Sequence, residues 1–250
     1  MERLAGQVAI VTGGGTGIGE ATAVALAREG ARVAVVGRRA EPIEALAARV
    51  TAEGGTALAF PADVTDPDAV QGLVNEVREQ WGRVDVLVNS AGVNVPRRDL
   101  ASLSVADWDA VLRINLTGTF LVTHAVLPIM REQRSGTVVN VSSIAGYRAM
   151  ALTGPAYNAA KAGVNAFTES INLAERRHGI RACAVCPGEV ATPILDKRPE
   201  PPSPEARATM LQPEDLAETV LFVATLPQRA TVELLTINPT EQRDWTAELR

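Results

Sequence analysis

Short, almost wholly apolar runs alternate with amphipathic stretches along the entire chain. The runs at residues 8–11, 32–36, 57–60, 84–88, 137–141, 181–185 and 232–237 are built mainly from Val, Ile, Leu and Ala. Their length and β-branched content predict strands. Between them, residues 20–29, 42–53, 67–81, about 106–131, a segment opening at Pro155, and 213–226 read as helices. Gly30, Gly54 and Gly82 stand just behind three of these, where a left-handed residue ends a helix. Strands without polar alternation are buried on both faces, and strict strand–helix alternation makes such strands parallel. The pattern predicts an α/β fold: one doubly wound parallel sheet of about seven strands, with helices on both faces, as a single domain over residues 1–250.

One segment breaks the pattern. Residues 196–204 contain Pro199, Pro201, Pro202 and Pro204, which rules out regular helix or central strand there. Too little chain follows to build a second domain, so residues 189–212 read as a mobile substrate flap. Composition adds exclusions rather than assignments. A net charge of −5 favours neither nucleic acid nor an anionic membrane. No uninterrupted apolar run reaches the roughly 20 residues that span a bilayer. The amino terminus leads straight into a strand without a signal-peptide pattern, so a cytoplasmic location is expected. Cys183 and Cys186 lie three apart on one predicted strand and face opposite sides, as core residues do. His124 and His178 have no companion ligands, so no metal site is expected.

Candidate chemistry begins with Thr12-Gly13-Gly14-Gly15-Thr16-Gly17-Ile18-Gly19, between the first strand and first helix. Glycines there let backbone approach a pyrophosphate, and the helix offers free N–H groups and a positive dipole end. The turn reads as a Rossmann-like dinucleotide site. An acid at the end of the second strand would hold a free ribose 2′-OH. Here that end reads Val36-Gly37-Arg38-Arg39, with no acid before Glu41. Arg38 or Arg39 can meet a 2′-phosphate instead, so NADP is expected over NAD.

The second candidate is Tyr157-Asn158-Ala159-Ala160-Lys161. Positions four apart share a helix face, which puts Tyr157 and Lys161 one turn apart on the same side. A nearby ammonium lowers a phenol's pKa and makes it a usable proton donor and acceptor. Ser143 closes the fifth strand upstream. Ser142 stands directly beside it.

Taken together these residues resemble the short-chain dehydrogenase/reductase family over nearly the whole chain. Residues 12–19 match TGxxxGIG, and Asp63-Val64 matches the pair beside the adenine. Asn89-Ser90-Ala91-Gly92 matches NNAG with one change, Asn115 the helix asparagine, and Ser143 the catalytic serine. Tyr157 and Lys161 match YxxxK. Pro187 and Gly188, through Val190 to Thr192, match the PGxxxT stretch at the nicotinamide end. The resemblance implies that Tyr157 exchanges a proton with the substrate oxygen and that Lys161 lowers its pKa and bonds the nicotinamide ribose. It further implies that Ser143 holds that oxygen, Asn115 holds a relay water, and the chain forms a homo-oligomer. The cofactor-binding set is Gly13, Gly15, Thr16, Gly17, Ile18, Gly19, Arg38, Arg39, Asp63, Val64, Asn89, Ala91, Gly92, Tyr157, Lys161, Pro187, Gly188, Val190 and Thr192. The sequence departs from the family in a Ser143–Tyr157 spacing one residue longer than the commonest. It also ends its last strand Asn238-Pro239-Thr240 in place of Asp-Gly-Gly.

Loops at 93–101, 147–154 and 189–212 follow strand ends, where ligands of such sheets bind. Ile194, Leu195, Met210 and Leu211 offer the flap an apolar inner side, while Arg97, Arg98 and Arg148 read as solvated loop arginines, with contact to an acidic substrate as the other reading. The expected function is hydride transfer between NADP(H) and a medium-sized, partly apolar ketone or secondary alcohol. A non-catalytic, redox-sensing dinucleotide module is the alternative.

Overall fold

The computed structural model describes residues 2–242 and 244. Its centre is a seven-stranded sheet: β1 (Val8–Thr12), β2 (Arg32–Gly37), β3 (Thr56–Pro61), β4 (Val86–Asn89), β5 (Gly136–Val141), β6 (Ile180–Pro187) and β7 (Leu234–Ile237). The spatial order is β3-β2-β1-β4-β5-β6-β7 and every pairing is parallel. The order reverses between β1 and β4, and a crevice opens beyond the carboxyl ends of those two strands.

Strand side chains alternate faces, and β1 shows how that divides the core. Ala9 and Val11 point into one apolar cluster, packed with helices α1 (Gly17–Arg28) and α2 (Ala40–Ala52). Val8 and Ile10 point into a second, on the opposite face, built with α3 (Pro67–Trp81). Helix α3 is delimited by its sequence. The Asp66 carboxylate accepts from the Asp68 and Ala69 amides, Pro67 takes the first turn, and Gly82 at φ 75° closes it.

The predicted helix over 106–131 is three pieces: α4 (Val105–Leu112), a π-helical turn (Arg113–Thr117) and α5 (Gly118–Gln133). The 29 residues Val105–Gln133 are long and apolar enough to cross a bilayer by length and composition. Their apolar positions are broken by Arg113 and polar residues, so the sequence shows no uninterrupted run. In the fold, Val122, Val126, Ile129 and Met130 of α5 enter the second core.

Helix α6 (Pro155–Glu175) follows, with Gly154 at φ 77° before it. The predicted flap contains a 3-10 turn (Pro193–Lys197) and a short helix α7 (Pro204–Ala208) that begins on the last of its prolines. A parallel bridge pairs Val190 with Leu211 and closes the base of this excursion. Leu195, Met210 and Leu211 are buried, as an apolar inner side requires. Helix α8 (Pro213–Thr225) then packs on α1. Both cysteines are free and buried on β6. Residues 243 and 245–250 of the predicted tail lie outside the described residues.

Candidate active site and dinucleotide cleft

The crevice beyond β1 and β4 is walled by the glycine turn on one side and by the start of α6 on the other. Gly13, Thr16, Ile18, Gly92, Ser143, Tyr157, Lys161, Pro187, Gly188, Val190 and Thr192 all line it. The geometry of the turn explains its glycines. Gly13 has φ 66°, and a Cβ there would stand 2.8 Å from the Ala91 nitrogen. A Cβ on Gly19 would overlap the Gly13 carbonyl oxygen. Thr12 fixes the facing loop, its hydroxyl accepting from the amides of Ser90 (3.1 Å) and Ala91 (3.2 Å). Thr16 precedes α1 without any side-chain cap, so the first-turn N–H groups stay available for a ligand's anionic oxygens. This cradle fits a dinucleotide pyrophosphate. Gly13→Ala should therefore cost about 1–3 kcal/mol of backbone strain and weaken dinucleotide binding about tenfold or more. A fluorescence titration with unchanged circular dichroism would check it.

The remaining predicted contacts lie around the cleft rather than in its wall. Gly15 abuts Pro42 and Ile43 of α2. Gly17, at φ 57°, faces the Thr192 side chain across the opening. Arg38 and Arg39 are exposed at the end of β2. The Asp63 carboxylate accepts from the Thr65 amide at 2.9 Å, and this bond, with the charges of Arg38 and Arg113, holds its pKa below the usual range. Val64 is buried against Gly118. Asn89 is turned into the core, where its amide donates to Thr123 (3.0 Å) and Asn140 (2.9 Å). Asn140 continues the row to Thr168 at 2.8 Å, so α5, β4, β5 and α6 are tied by one buried polar chain. The Asn89 Oδ1 is buried without a hydrogen-bond partner.

Asn115 sits in the π-helical turn, fully buried. Its amide donates to the carbonyls of Val93 and Val111, both at 2.9 Å, and its oxygen accepts from the Val93 N–H at 3.3 Å. Gly92 makes this possible: a Cβ there would lie 2.9 Å from the Asn115 Oδ1 and 3.8 Å from the Lys161 Nζ. The π-turn adds a residue to the helix locally and so aims Asn115 at the crevice floor.

Ser143 begins a short turn (Ile144–Gly146) and its Oγ accepts from the Ala145 amide at 3.1 Å. It lines the same cleft as Tyr157. Lys161 donates to the Val141 carbonyl at 2.7 Å and its Nζ stands 5.5 Å from the centre of the Tyr157 ring. Burial pushes the Tyr157 phenol up to about 12, while Ser143 and the charge of Arg98 pull it back down. Burial pushes the Lys161 ammonium down to about 8. One bond to the Val141 carbonyl leaves the Lys161 ammonium its charge and two further N–H groups.

Sequence reasoning missed three features. Arg98 is not solvated but buried in the cleft wall. Asn158, inside the YxxxK pattern, organises the longer loop before α6. It accepts from Thr153 Oγ1 at 2.6 Å and donates to the Met150 carbonyl at 3.0 Å. Arg198 and Glu189 form a shielded ion pair at 2.8 Å in the same wall. The signal for Asn158 was its place in the motif; for the other two the sequence carried none beyond charge in a loop.

The family follows from direct comparison. A family model described as short chain dehydrogenase matches residues 7–202. The chain belongs to the short-chain dehydrogenase family. Family membership makes it an NAD(P)-dependent oxidoreductase. It is 40% identical over 246 residues to a 3-oxoacyl-[acyl-carrier-protein] reductase of Synechocystis sp., covering 95% of this chain and 97% of that one. It is 37% identical over 242 residues to the levodione reductase of Leifsonia aquatica, covering 96% of this chain and 83% of that one. A solved levodione reductase superposes with a TM-score of 0.87 at 34% identity, covering 94% of this chain and 97% of the other. A metagenomic short-chain oxidoreductase in complex with NADP gives 0.83 at 32% identity, over 96% and 100% of the two chains.

Proposed function

We propose that this short-chain dehydrogenase reduces a ketone to a secondary alcohol, or runs the reverse reaction, with NADP(H) and with Tyr157 as general acid and base. The observation that carries this is the meeting of Ser143, Tyr157 and Lys161 in the cleft that the glycine turn also lines. When bound, the cofactor supplies or accepts the hydride at the carbonyl carbon. Tyr157 gives its proton to the carbonyl oxygen during reduction and retrieves it during oxidation. Ser143 holds that oxygen by hydrogen bonding beside the phenol. Lys161 places a positive charge behind the phenol and faces the ribose side of the cleft. Asn115 pins the 92–93 loop that forms the floor. Exposed Phe120, Leu173 and Phe222 support a homo-oligomer in which such apolar side chains are covered.

The cofactor choice rests on Arg38 and Arg39 where an acid would serve NAD. Arg38→Ala should weaken NADPH binding about tenfold or more while changing NADH binding by about threefold or less. Parallel fluorescence titrations read both, and equal losses would remove Arg38 from phosphate recognition. Loss of nicotinamide absorbance on adding ketones to the purified protein and NADPH tests the reaction itself. No oxidation across a broad ketone panel, with NADPH bound, would reject it.

A further inference from the structure

Among the described residues two arginines, Arg98 and Arg181, are buried as whole residues, and they differ in how their donors are used. A guanidinium has five N–H groups. Arg181 spends them all on protein: Thr137 Oγ1 at 3.0 Å, the carbonyls of Pro227 and Ala230 at 2.8 and 2.7 Å, and those of Leu226 and Val223 at 2.9 and 3.2 Å. That is the pattern of a structural arginine. Arg98 has three protein acceptors: the carbonyls of Val95 (2.9 Å), Leu152 (3.4 Å) and Lys197 (2.6 Å). They belong to three different cleft loops. The residue is only 8% exposed, lines the cleft, and forms no ion pair with any described carboxylate. Its neighbour Arg198 is matched by Glu189, so the nearest carboxylate in the wall is engaged elsewhere. The ionisable lining of the cleft thus holds three cations, Arg98, Lys161 and Arg198, against the single carboxylate of Glu189.

A buried charge satisfied only by carbonyl dipoles is costly, and the cost is relieved when an anion arrives. The loop staple accounts for three N–H groups but not for the charge, nor for the two N–H groups left over. Arg98 is also held firmly in place. A Cβ on Gly154 would overlap the Arg98 carbonyl oxygen, so the glycine seats the Arg98 backbone against the start of α6, which carries Tyr157. The charge of Arg98 reaches the phenol, which puts both groups on one substrate-sized opening. Met150, Leu152 and Leu195 supply apolar wall beside it.

We propose that Arg98 anchors a carboxylate on the substrate, so that the preferred substrates of this cleft are oxo acids and their hydroxy-acid products rather than neutral ketones. The inference rests on the carbonyl–alcohol reading of the same site and narrows it. The guanidinium binds the carboxylate by charge-assisted hydrogen bonds, the apolar wall takes the intervening carbons, and the carbonyl is delivered to Ser143 and Tyr157.

The test compares 4-oxopentanoate, 5-oxohexanoate and 6-oxoheptanoate with their methyl esters on the NADPH-loaded protein. Initial rates of NADPH oxidation are read, with calorimetric binding in parallel. At least one acid should exceed its ester about thirtyfold or more in kcat/KM, chiefly through KM. Arg98→Met should bring that ratio to within about threefold, and Arg98→Lys should keep a ratio of about tenfold because the charge survives. Arg97→Met, one residue away and exposed, should keep the wild-type ratio. Equal handling of acid and ester by the wild type would overturn the proposal, with neutral-ketone turnover leaving the reductase reading in place. So would matched losses in the Lys and Met variants, the result of a staple alone. If neither acids nor esters oxidise NADPH yet the acids bind selectively through Arg98, the hydride reading fails and the carboxylate site stands. Absence of both would overturn both.

Discussion

Tyr157→Phe should bind NADPH as the parent does and lose about a hundred- to ten-thousand-fold in turnover. The substitution removes one oxygen from a partly buried ring in the cleft wall, so packing changes little. What disappears is the hydroxyl that shares the cleft with Ser143 and has Lys161 behind its ring. Ser143 has no acidity of its own near neutral pH, and its Oγ already accepts the Ala145 amide. It cannot take over the proton transfer. The loss should fall on kcat and on kcat/KM alike, since the proton moves only in the transition state. Single-turnover mixing of enzyme, NADPH and ketone separates this from slow product release. Near-parental rates would remove Tyr157 from the chemistry and leave a dinucleotide-binding module with another purpose.

Much of this arrangement was legible in the sequence because it depends on short-range rules. Positive φ at Gly13 and Gly17, and the overlap a side chain at Gly19 would cause, need glycine whatever surrounds them. A Tyr and a Lys four apart must share a helix face. Doubly buried strands must be apolar throughout, and β1, β5 and β6 are buried at every position. What escaped depends on long-range meeting. The π-turn at 113–117 has helix-forming residues and a helical period, and its extra residue is fixed by Asn115 reaching the loop at Val93, 22 positions away. Arg98 reads as solvent-facing beside Arg97, yet it turns inward onto Lys197, 99 residues downstream. The Lys161 head finds the Val141 carbonyl on β5, a bond between elements that the YxxxK pattern alone does not contain. Local pattern fixes where such groups sit on their own element, and packing between elements decides which partners they meet.

Raising the pH should drive the two directions of the reaction apart. Oxidation needs Tyr157 as a phenolate base. With the phenol pushed up to about 12, the phenolate fraction is still small near neutrality and grows about tenfold per pH unit. Alcohol oxidation should climb with that slope from about pH 6 upward. The positive ring of the oxidised nicotinamide pulls the phenol down and moves the rise to lower pH without changing its sign. Reduction needs the phenol in its ordinary protonated form, which is present throughout this range, so its rate should be level on the acid side. Lys161 then sets the alkaline limit. Its ammonium, pushed down to about 8 by burial, is lost above that pH, and with it the positive charge behind the phenol. Reduction should fall there, and oxidation should bend below its initial slope. In Lys161→Met both rates should be lower at every pH, and the bend near 8 should vanish. Paired kcat profiles on the two proteins decide the matter. Oxidation that stays level across neutrality would identify a base far more acidic than Tyr157, and a bend that survives in Lys161→Met would assign it to another group.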